Sequence, residues 1–468
     1  MTTDATASTE SLDENTRKSM RKVALTALAG TSIEWYDFFL YGTAAALVFP
    51  AAFFPQDMPA MVALIASFST FAVGFIARPL GGIIFGHFGD RIGRKRTLVI
   101  ALMMMGVGTT LIGLLPTYAT IGALAPLMLV LLRFVQGLAI GGQWGGAMLL
   151  VTENAPADKR GYYGAYAQAG APVGVILANL AFLLISGTVS EEAFMSWGWR
   201  IPFLASVVLI GISMYVQLNL EDTPAFKELQ KLQQEHPHEG EDIMPPDEAF
   251  EAVAAEKASR GQRSPVLEAL RLYPGRIALA AGAFLSIQVT LYILIAFVVA
   301  YGSNAAGLGL PRNTMLAAVL IASAIQIPFQ FWAAAYSDRH GRKGIYLVGA
   351  LLCGIWAFAL FPLIDTGNFL LIILGITGGL GFLGMQYGPQ AAFFTELFST
   401  HVRYSGASLG YQIGAILGGA LAPTIAVLLW NEYGIVFVSA YIALASVLTI
   451  ISVLMLTETK GTDLHSVE

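Results

Sequence analysis

Four charged side chains stand inside apolar segments of the sequence, where ionisable groups are costly and usually functional. The first apolar segment contains Glu34 and Asp37, the second Arg78 and the fourth Arg133. A buried carboxylate can take up and release a proton, and a buried arginine can bind the carboxylate of a ligand. Because such a ligand would take the arginine from an ionised acid, it would favour protonation of that acid. The four residues therefore predict coupling between protons and an anionic solute.

Their position along the first segment suggests how the roles divide. Glu34 follows Lys22 by 12 residues, a helical rise of about 18 Å, which is near the middle of a bilayer. Asp37 and Tyr41 follow Glu34 at i+3 and i+7, so the three share one helical face. We assign proton coupling to Glu34 and Asp37 and favour Arg133 for the substrate. The alternative is that the two acids and two arginines only pair with one another and hold three helices together.

Polar and aromatic side chains in other apolar segments extend the candidate substrate site. Besides Arg133, we assign to this site the residues Arg78, Tyr41, Gln136, Gln143, Trp144, Gln288, Tyr292, Gln386 and Tyr411. Each glutamine could instead only link neighbouring helices. The second half of the chain has no charged side chain away from segment ends, so a neutral wall would face a charged one. This arrangement suits a small polar solute with one ionic end.

Membrane-spanning helices must position these residues. Hydrophobic residues make up 56% of the chain and charged residues 12%, whereas a soluble domain carries about twice that charge. A polar stretch at 221–270 divides the apolar segments into six and six. We therefore predict an all-α integral membrane protein with twelve transmembrane helices in two pseudo-symmetric six-helix bundles. The predicted spans are 22–49, 60–86, 97–116, 124–151, 161–186, 200–220, 275–301, 312–336, 345–363, 368–395, 404–430 and 433–456.

A charged motif occurs once in each half of the chain. Asp-Arg-x-Gly-Arg-Lys begins at Asp90 and again at Asp338, and each copy is followed later by a glutamate with an arginine seven residues on. Such duplication is typical of alternating-access transporters. We interpret the charges as a cytoplasmic gate, closed when the carrier faces outward; the alternative is that they only set topology. The gate residues are Gly86, Asp90, Arg91, Arg94, Glu153, Arg160, Asp338, Arg342, Glu396 and Arg403.

The distribution of lysine and arginine predicts the orientation. These residues cluster before the first span and after the second, fourth and eighth spans, which lie on one side of the membrane. The positive-inside rule therefore places both motifs and both termini in the cytoplasm. The first 20 residues are polar and contain acids, so we expect no cleavable signal. The predicted domains are an N-terminal tail 1–21, a bundle 22–220, a linker 221–270 with a short helix at 265–272, a bundle 271–456 and a C-terminal tail 457–468.

The sequence indicates neither an enzyme nor a cofactor site. Cys353 is the single cysteine, so it allows no intramolecular disulfide and no metal-site spacing. The glycine-rich segments lie within spans and lack a following Gly-Lys-Ser/Thr, so they are not phosphate-binding loops. We expect the partners to be a small polar solute, protons and the lipid bilayer, with no metal, no cofactor and no nucleic acid, and we expect a monomer.

Several segments resemble the major facilitator superfamily and, within it, the metabolite:proton symporter family. Gly86 to Arg94 matches the superfamily loop motif Gly-x-x-x-Asp-Arg-x-Gly-Arg. The resemblance implies proton-driven uptake across a bacterial cytoplasmic membrane, with family substrates that include shikimate, α-ketoglutarate, citrate and proline or betaine. The shikimate-type carriers are the most similar in pattern. The other matching segments are 34–38, 78–82, 136–137 with 141–142, 196–203 and 403–406.

One departure from the family pattern concerns the proton site. Many relatives carry glutamate after the Gly-Gly of the fourth span, where this chain has Gln143. This difference places more weight on Glu34 and Asp37. The leading hypothesis is a proton-coupled importer of a small polar organic acid. The alternatives are a proline/betaine symporter, a drug/proton antiporter, which a cavity rich in charges and amides disfavours, and a non-transporting membrane sensor, which would not need charges in mid-membrane.

Overall fold

The computed structural model describes residues 3–92, 94–141, 148, 151–152, 155–218, 265–398 and 403–461. All regular secondary structure in these ranges is helical, and none of it is a strand. A helix coincides with each of the twelve predicted apolar segments. The predicted all-α membrane architecture is therefore confirmed.

The first bundle contains six long helices and several short ones. The long helices are α1 (Thr3–Leu47), α2 (Ala60–Ile92), α3 (Arg94–Leu114), α4 (Leu124–Gly141), α5 (Arg160–Thr188) and α6 (Arg200–Leu218). Helix α1 runs through most of the predicted tail 1–21, since neither proline nor glycine interrupts the sequence before Gly30. The short helices are Phe49–Ala52, Tyr118–Ile121, a 3₁₀ turn Ala157–Lys159, and Glu191–Ala193 followed by the π-helical turn Phe194–Gly198.

The second bundle repeats this pattern. Its helices are α7 (Pro274–Ser303), α8 (Arg312–His340), α9 (Arg342–Asp365), α10 (Phe369–Glu396), α11 (Arg403–Gly414, Ala415–Ala420 and Ala422–Tyr433) and α12 (Ile435–Met455). Helices α7 and α11 each contain a π-helical segment, at Ile293–Phe297 and Ala415–Ala420. The predicted short helix at the end of the linker is confirmed as Pro265–Leu272, which packs on α7 and α11. Residues 219–264, most of the predicted linker, lie outside the described residues.

The helices differ in how well they suit a bilayer. Within the described ranges, nine are long and apolar enough to cross a membrane, and ten if the bent pair Glu191–Gly198 and Arg200–Ile212 forms one span. The remaining two predicted spans are α3 and α1. The apolar part of α3 is shorter, at Val99–Leu114, and α1 contains Glu34 and Asp37.

Helix α2, which carries Arg78, and helix α4, which carries Arg133, pack closely against each other. A Cβ atom on Gly81 would lie 1.9 Å from the carbonyl oxygen of Leu138, and one on Gly141 would lie 1.9 Å from that of Arg78. Both positions therefore require glycine. Between the bundles, α5 packs against α8 and α10, α2 against α11, and α1 against α7. Residues on α1 and α2 thus face the second bundle.

Candidate functional site

Arg78 and Arg133 are both buried and lie over aromatic rings. Their side chains are 2% and 1% exposed. The Cζ atom of Arg78 is 4.4 Å from the ring centre of Phe75 and 4.5 Å from that of Phe38. The Cζ atom of Arg133 is 4.4 Å from the same Phe38 ring centre and 4.3 Å from that of Tyr41. Aromatic faces offset part of the cost of burying a cation.

The arginines keep several donors unused. Arg133 Nη1 donates to Gln136 Oε1 at 3.2 Å, and Gln136 Nε2 donates to Thr109 Oγ1 at 2.7 Å. Nε and Nη2 of Arg78 and of Arg133 have no hydrogen-bond partner among the described residues. A buried donor without a partner is costly. Both guanidinium groups therefore keep N–H donors that are available to an anion.

The two carboxylates also lack ion-pair partners. Asp37 Oδ1 accepts a hydrogen bond from Ser206 Oγ at 2.7 Å, whereas Asp37 Oδ2 has no partner in the described part of the chain. In that part, neither arginine has a nitrogen within 4 Å of a carboxylate oxygen of Glu34 or Asp37. The charge of Arg78 still acts on Glu34, and that of Arg133 acts on Asp37. The described residues therefore show no direct ion pair between either acid and either arginine, which was the alternative interpretation of these four charges.

A small pocket at the bundle interface places Glu34 and Arg78 together. Its volume of about 10 Å³ holds about one water molecule. The second bundle contributes Tyr411 and Gln412 to its wall. Arg133 does not line this pocket, so in this conformation Arg78 is the arginine that faces the second bundle. The complete lining is Glu34, Trp35, Phe38, Arg78, Ile140, Tyr411 and Gln412.

The side chains of Glu34, Asp37 and Tyr41 on α1 contact different parts of the molecule. Glu34 is half-buried and lines the interface pocket, whereas Asp37 contacts Ser206 on α6. The Tyr41 hydroxyl is 2.7 Å from Thr70 Oγ1 on α2. Each of the three residues therefore contacts a different partner, and their joint role on one helical face stays a prediction.

The other predicted substrate residues fall into three groups. Tyr292 is fully buried against the rings of Phe38 and Phe75, and Gln288 is buried with its Nε2 atom unpartnered among the described residues. Gln386 donates from Nε2 to Cys353 Sγ on α9 at 3.4 Å, whereas its buried Oε1 atom has no partner among the described residues. Its assignment to the substrate site stays a prediction. Gln143 and Trp144 lie outside the described residues.

Sequence reasoning missed the residues that surround the charges. Ser206 and Thr109 are small hydroxyl residues on α6 and α3 that bind Asp37 and Gln136. No local pattern distinguishes them from other serines and threonines in apolar helices. The rings of Phe71 and Phe75 carry a weak signal, since they recur at i and i+4 along α2.

The second copy of the charged motif forms a buried network at one end of the molecule. This end, where α5 begins, α8 ends and α9 begins, is here named the motif end. Arg342 Nη1 is 2.6 Å from Asp338 Oδ1, and Arg342 Nη2 is 3.1 Å from Glu396 Oε1. The backbone N–H groups of Gly161 and Tyr162 both donate to Asp338, at 2.8 Å. Asp338 on the second bundle therefore holds the first turn of α5 on the first bundle, where the helix dipole favours an anion.

The remaining predicted gate residues are less informative. Arg160 is buried at the start of α5, and Arg403 Nε donates to the carbonyl oxygen of Phe398 at 3.3 Å. The interpretation of the first motif copy stays a prediction, because its members lie outside the described residues or have no described side chain. These members are Gly86, Asp90, Arg91, Arg94 and Glu153.

The predicted C-terminal tail is bound to the motif end. Glu458 accepts hydrogen bonds from the backbone N–H groups of Arg342 and Lys343, at 2.8 and 3.0 Å. Thr459 Oγ1 donates to Glu396 Oε2 at 2.7 Å. Residues 457–461 therefore extend the charged network around Arg342, an arrangement that the polar sequence at the end of the last span did not indicate.

Glu458 makes this contact pH-dependent. Burial alone would raise the pKa of its carboxyl, but backbone N–H donors, among them those of Arg342, Lys343 and Lys460, outweigh burial and lower that pKa. Because the folded pKa is depressed, the stabilisation is present above the unfolded value of about 4.3 and is lost as pH falls through the folded value. We expect Glu458→Gln to lower the thermal unfolding midpoint at pH 7 by a few degrees. The difference should shrink as pH falls below the unfolded value of about 4.3 and vanish once pH is below the folded value. The exposed control Glu192→Gln should show no difference, and a pH-independent difference for Glu458→Gln would contradict this linkage.

Two contacts join the bundles at the opposite end. Arg312, at the start of α8, forms an ion pair with Glu191, and its Cζ atom lies 4.1 Å from the ring centre of Phe194. Ser186 Oγ donates to Asn313 Oδ1 at 2.7 Å. The bundles are therefore tied at both ends in this conformation, which agrees with the small volume of the interface pocket.

Comparison with known proteins identifies the class of membrane protein. The family model described as "Sugar (and other) transporter" matches residues 22–468. The inner membrane metabolite transport protein YhjE of Escherichia coli K12 is 42% identical over 452 residues, which cover 95% of this chain and 96% of that protein. The shikimate transporter of the same organism is 42% identical over 410 residues, which cover 87% of each chain.

A solved structure shows the same fold. The proton:xylose symporter XylE bound to 6-bromo-6-deoxy-D-glucose superposes with a TM-score of 0.70 at 19% sequence identity, over 95% of this chain and 97% of that one. The family model and the relatives, together with this shared fold, confirm the predicted resemblance to the major facilitator superfamily. With twelve helices in two bundles and relatives that are transporters rather than enzymes, the chain belongs to the sugar (and other) transporter family of the major facilitator superfamily.

Proposed function

We propose that the protein is a proton-coupled symporter that imports a small polar organic acid, such as shikimate or a di- or tricarboxylate, by alternating access. The observation that carries this proposal is a pair of buried arginines with unused donors beside two carboxylates that they do not touch. Such charges are retained in a membrane interior where a solute or a proton uses them. The proposal places the chain in the cytoplasmic membrane with the motif end and both termini in the cytoplasm.

The first step is binding of the solute carboxylate. Arg78 lines the interface pocket together with Glu34 and faces the second bundle. A carboxylate that accepts hydrogen bonds from Arg78 Nε and Nη2 would fill donors that have no partner among the described residues. It would also screen the charge of Arg78 from Glu34, which favours a proton on Glu34. Solute binding and proton binding would then support each other.

Asp37 supplies a second proton site inside the first bundle. Its Oδ2 atom is buried and has no partner in the described part of the chain, and the charge of Arg133 acts on the carboxylate. Two positive charges at most about 9 Å apart, as the shared Phe38 ring requires of Arg78 and Arg133, repel each other by roughly 2 kcal/mol at an effective dielectric of 20. An anion at Arg78 relieves this repulsion and leaves Arg133 free to act on Asp37.

The pocket favours an organic acid over the osmolyte alternative. A quaternary ammonium group is normally bound on open aromatic faces. Here the rings of Trp35 and Phe38 lie 5.9 and 4.5 Å from the Arg78 guanidinium carbon. A ligand cation would meet a fixed positive charge at those faces, which disfavours a betaine bound by its ammonium end.

Uptake into vesicles tests the proposal. We would measure labelled shikimate, α-ketoglutarate and betaine in proteoliposomes, with and without an inward proton gradient, for the wild type, Asp37→Asn and the exposed control Asp57→Asn. We expect gradient-driven accumulation of an acid in the wild type and the control, and its loss in Asp37→Asn, because an amide cannot carry the proton. Accumulation of betaine alone would favour the osmolyte carrier. Absence of gradient-driven accumulation of all three in the wild type would overturn the proposed function.

A further inference from the structure

Phe38 is the one described aromatic residue that lies under both buried arginines. The Cζ atoms of Arg78 and Arg133 are 4.5 and 4.4 Å from its ring centre. The other described rings with one of these guanidinium groups over their face each contact one arginine alone: Trp35 and Phe75 contact Arg78, and Tyr41 and Phe71 contact Arg133. The ring of Phe38 thus connects two guanidinium groups that come from different helices.

The surroundings of Phe38 hold its ring in place. The side chain is 1% exposed, and the ring centres of Phe71, Phe75 and Tyr292 lie 4.9, 5.1 and 5.9 Å from its own. Tyr292 belongs to α7, so the ring also contacts the second bundle. A side chain packed on several sides has one orientation, and a cation over its face takes its position from that orientation.

We propose that Phe38 is a positioning residue that holds Arg78 and Arg133 with their N–H edges free to bind the anionic solute. A guanidinium group over an aromatic face uses that face for its charge and keeps its in-plane N–H groups for hydrogen bonds. This arrangement explains why both arginines remain buried with unpartnered Nε and Nη2 atoms in the described part of the chain. The inference rests on the proposed function, since it assigns Phe38 to the same solute site.

The ring of Phe38 also links the two acids to the two arginines. Phe38 follows Asp37 directly and lies at i+4 from Glu34, so α1 carries both acids and the ring. A shift of α1 during transport would therefore move the acids and both arginine positions together. Loss of the ring's electrostatic attraction is expected to change affinity for the anion and the pH dependence of uptake, and to leave the fold intact.

A fluorination series separates this role from packing. Fluorine withdraws charge from the ring face at nearly constant shape, so it weakens a cation contact without opening a cavity. We would incorporate mono-, di- and trifluorinated phenylalanine at position 38, and the same series at position 39 as the control, and add Phe38→Leu. Phe39 is 2% exposed and stacks on Trp35 at 5.1 Å, and no described guanidinium lies over its ring. The readout is uptake of labelled shikimate, α-ketoglutarate and betaine at a range of concentrations and external pH values.

We expect the half-saturating concentration of the transported acid to rise stepwise with fluorine number at position 38, by about tenfold for the trifluorinated ring and for Phe38→Leu. The external pH for half-maximal uptake should shift in the same variants, and the maximal rate should change less than the half-saturating concentration. Equal effects at positions 38 and 39, or no effect at position 38, would overturn the inference and leave the proposed function standing. A wild type that accumulates none of the three solutes would instead overturn the proposed function and, with it, this inference.

Discussion

Replacing Arg78 with methionine is expected to abolish gradient-driven accumulation of the organic acid. Methionine matches the length of the apolar part of arginine but carries neither charge nor donors. Hydrogen bonds to a charged group contribute about 1.5–3 kcal/mol, so the half-saturating concentration should rise by about 10- to 100-fold. The charge that acts on Glu34 would also be lost, and proton coupling with it. Initial uptake rates over a range of solute concentrations measure both effects.

Two further variants make this result specific. Arg78→Lys keeps the charge but not the planar fork, so its uptake should lie between that of the wild type and Arg78→Met. Arg21→Met removes an exposed arginine from α1, more than three helical turns before Glu34, and should leave uptake unchanged. Thermal unfolding of each purified variant reports whether the fold survives. Normal accumulation by a folded Arg78→Met protein would contradict the assignment of the solute carboxylate to Arg78.

The sequence predicted the helices better than it predicted their contacts. The twelve spans follow from local apolarity and length, which depend on no distant residue. The charged residues in mid-span singled out α1, α2 and α4, because a charge in an apolar helix is conspicuous. The structure brings these three helices together around the ring of Phe38. The sequence did not indicate that the polar tail continues helix α1 back to Thr3. Polarity predicts exposure to water, and it does not by itself end a helix.

Contacts between distant residues could not be read from the sequence. Asp37 and Ser206 are 169 residues apart, and Asp338 binds backbone N–H groups 176 and 177 residues away. A backbone partner leaves no side-chain signal. Gln386 was predicted from the sequence as a substrate residue, and the sequence did not indicate that its Nε2 atom contacts Cys353 within the same bundle. The direction in which a helix face points depends on the packing of the other helices.

The second large effect is expected at the motif end, from Asp338→Asn. The carboxylate accepts from Gly161 N, Tyr162 N and Arg342 Nη1 at 2.6–2.8 Å, and an asparagine has one oxygen fewer and no charge to offer. Charge-assisted hydrogen bonds of this kind contribute about 1.5–3 kcal/mol. Because the bonds from Gly161 N and Tyr162 N join the two bundles, their weakening should raise the ratio of the open to the closed motif end by about 10- to 100-fold.

Cysteine accessibility measures this shift. Cys353 is the single cysteine, so Cys353→Ala gives a background without thiols. In that background Ala391→Cys reports opening, because Ala391 is 1% exposed on α10 and lies opposite Gly164 of α5, whose added Cβ would be 3.3 Å from it. A membrane-impermeant maleimide, added to vesicles whose motif end faces the medium, should label this thiol at least about tenfold faster in Asp338→Asn.

The matched control is Asp158→Asn, which removes an exposed carboxylate from the turn just before α5. This variant makes the same charge change near the same place, but among the described residues the Asp158 side chain has no hydrogen bond or ion pair to the second bundle. Faster labelling in Asp338→Asn alone would mean that the Asp338 network holds the motif end closed. Equal labelling in all three proteins would mean that Asp338 and Arg342 only set topology, and that other contacts, such as Gln168 Nε2 to Gln390 Oε1 at 2.6 Å, keep the bundles together. In that case the charge pattern of the motif would not by itself predict a gate.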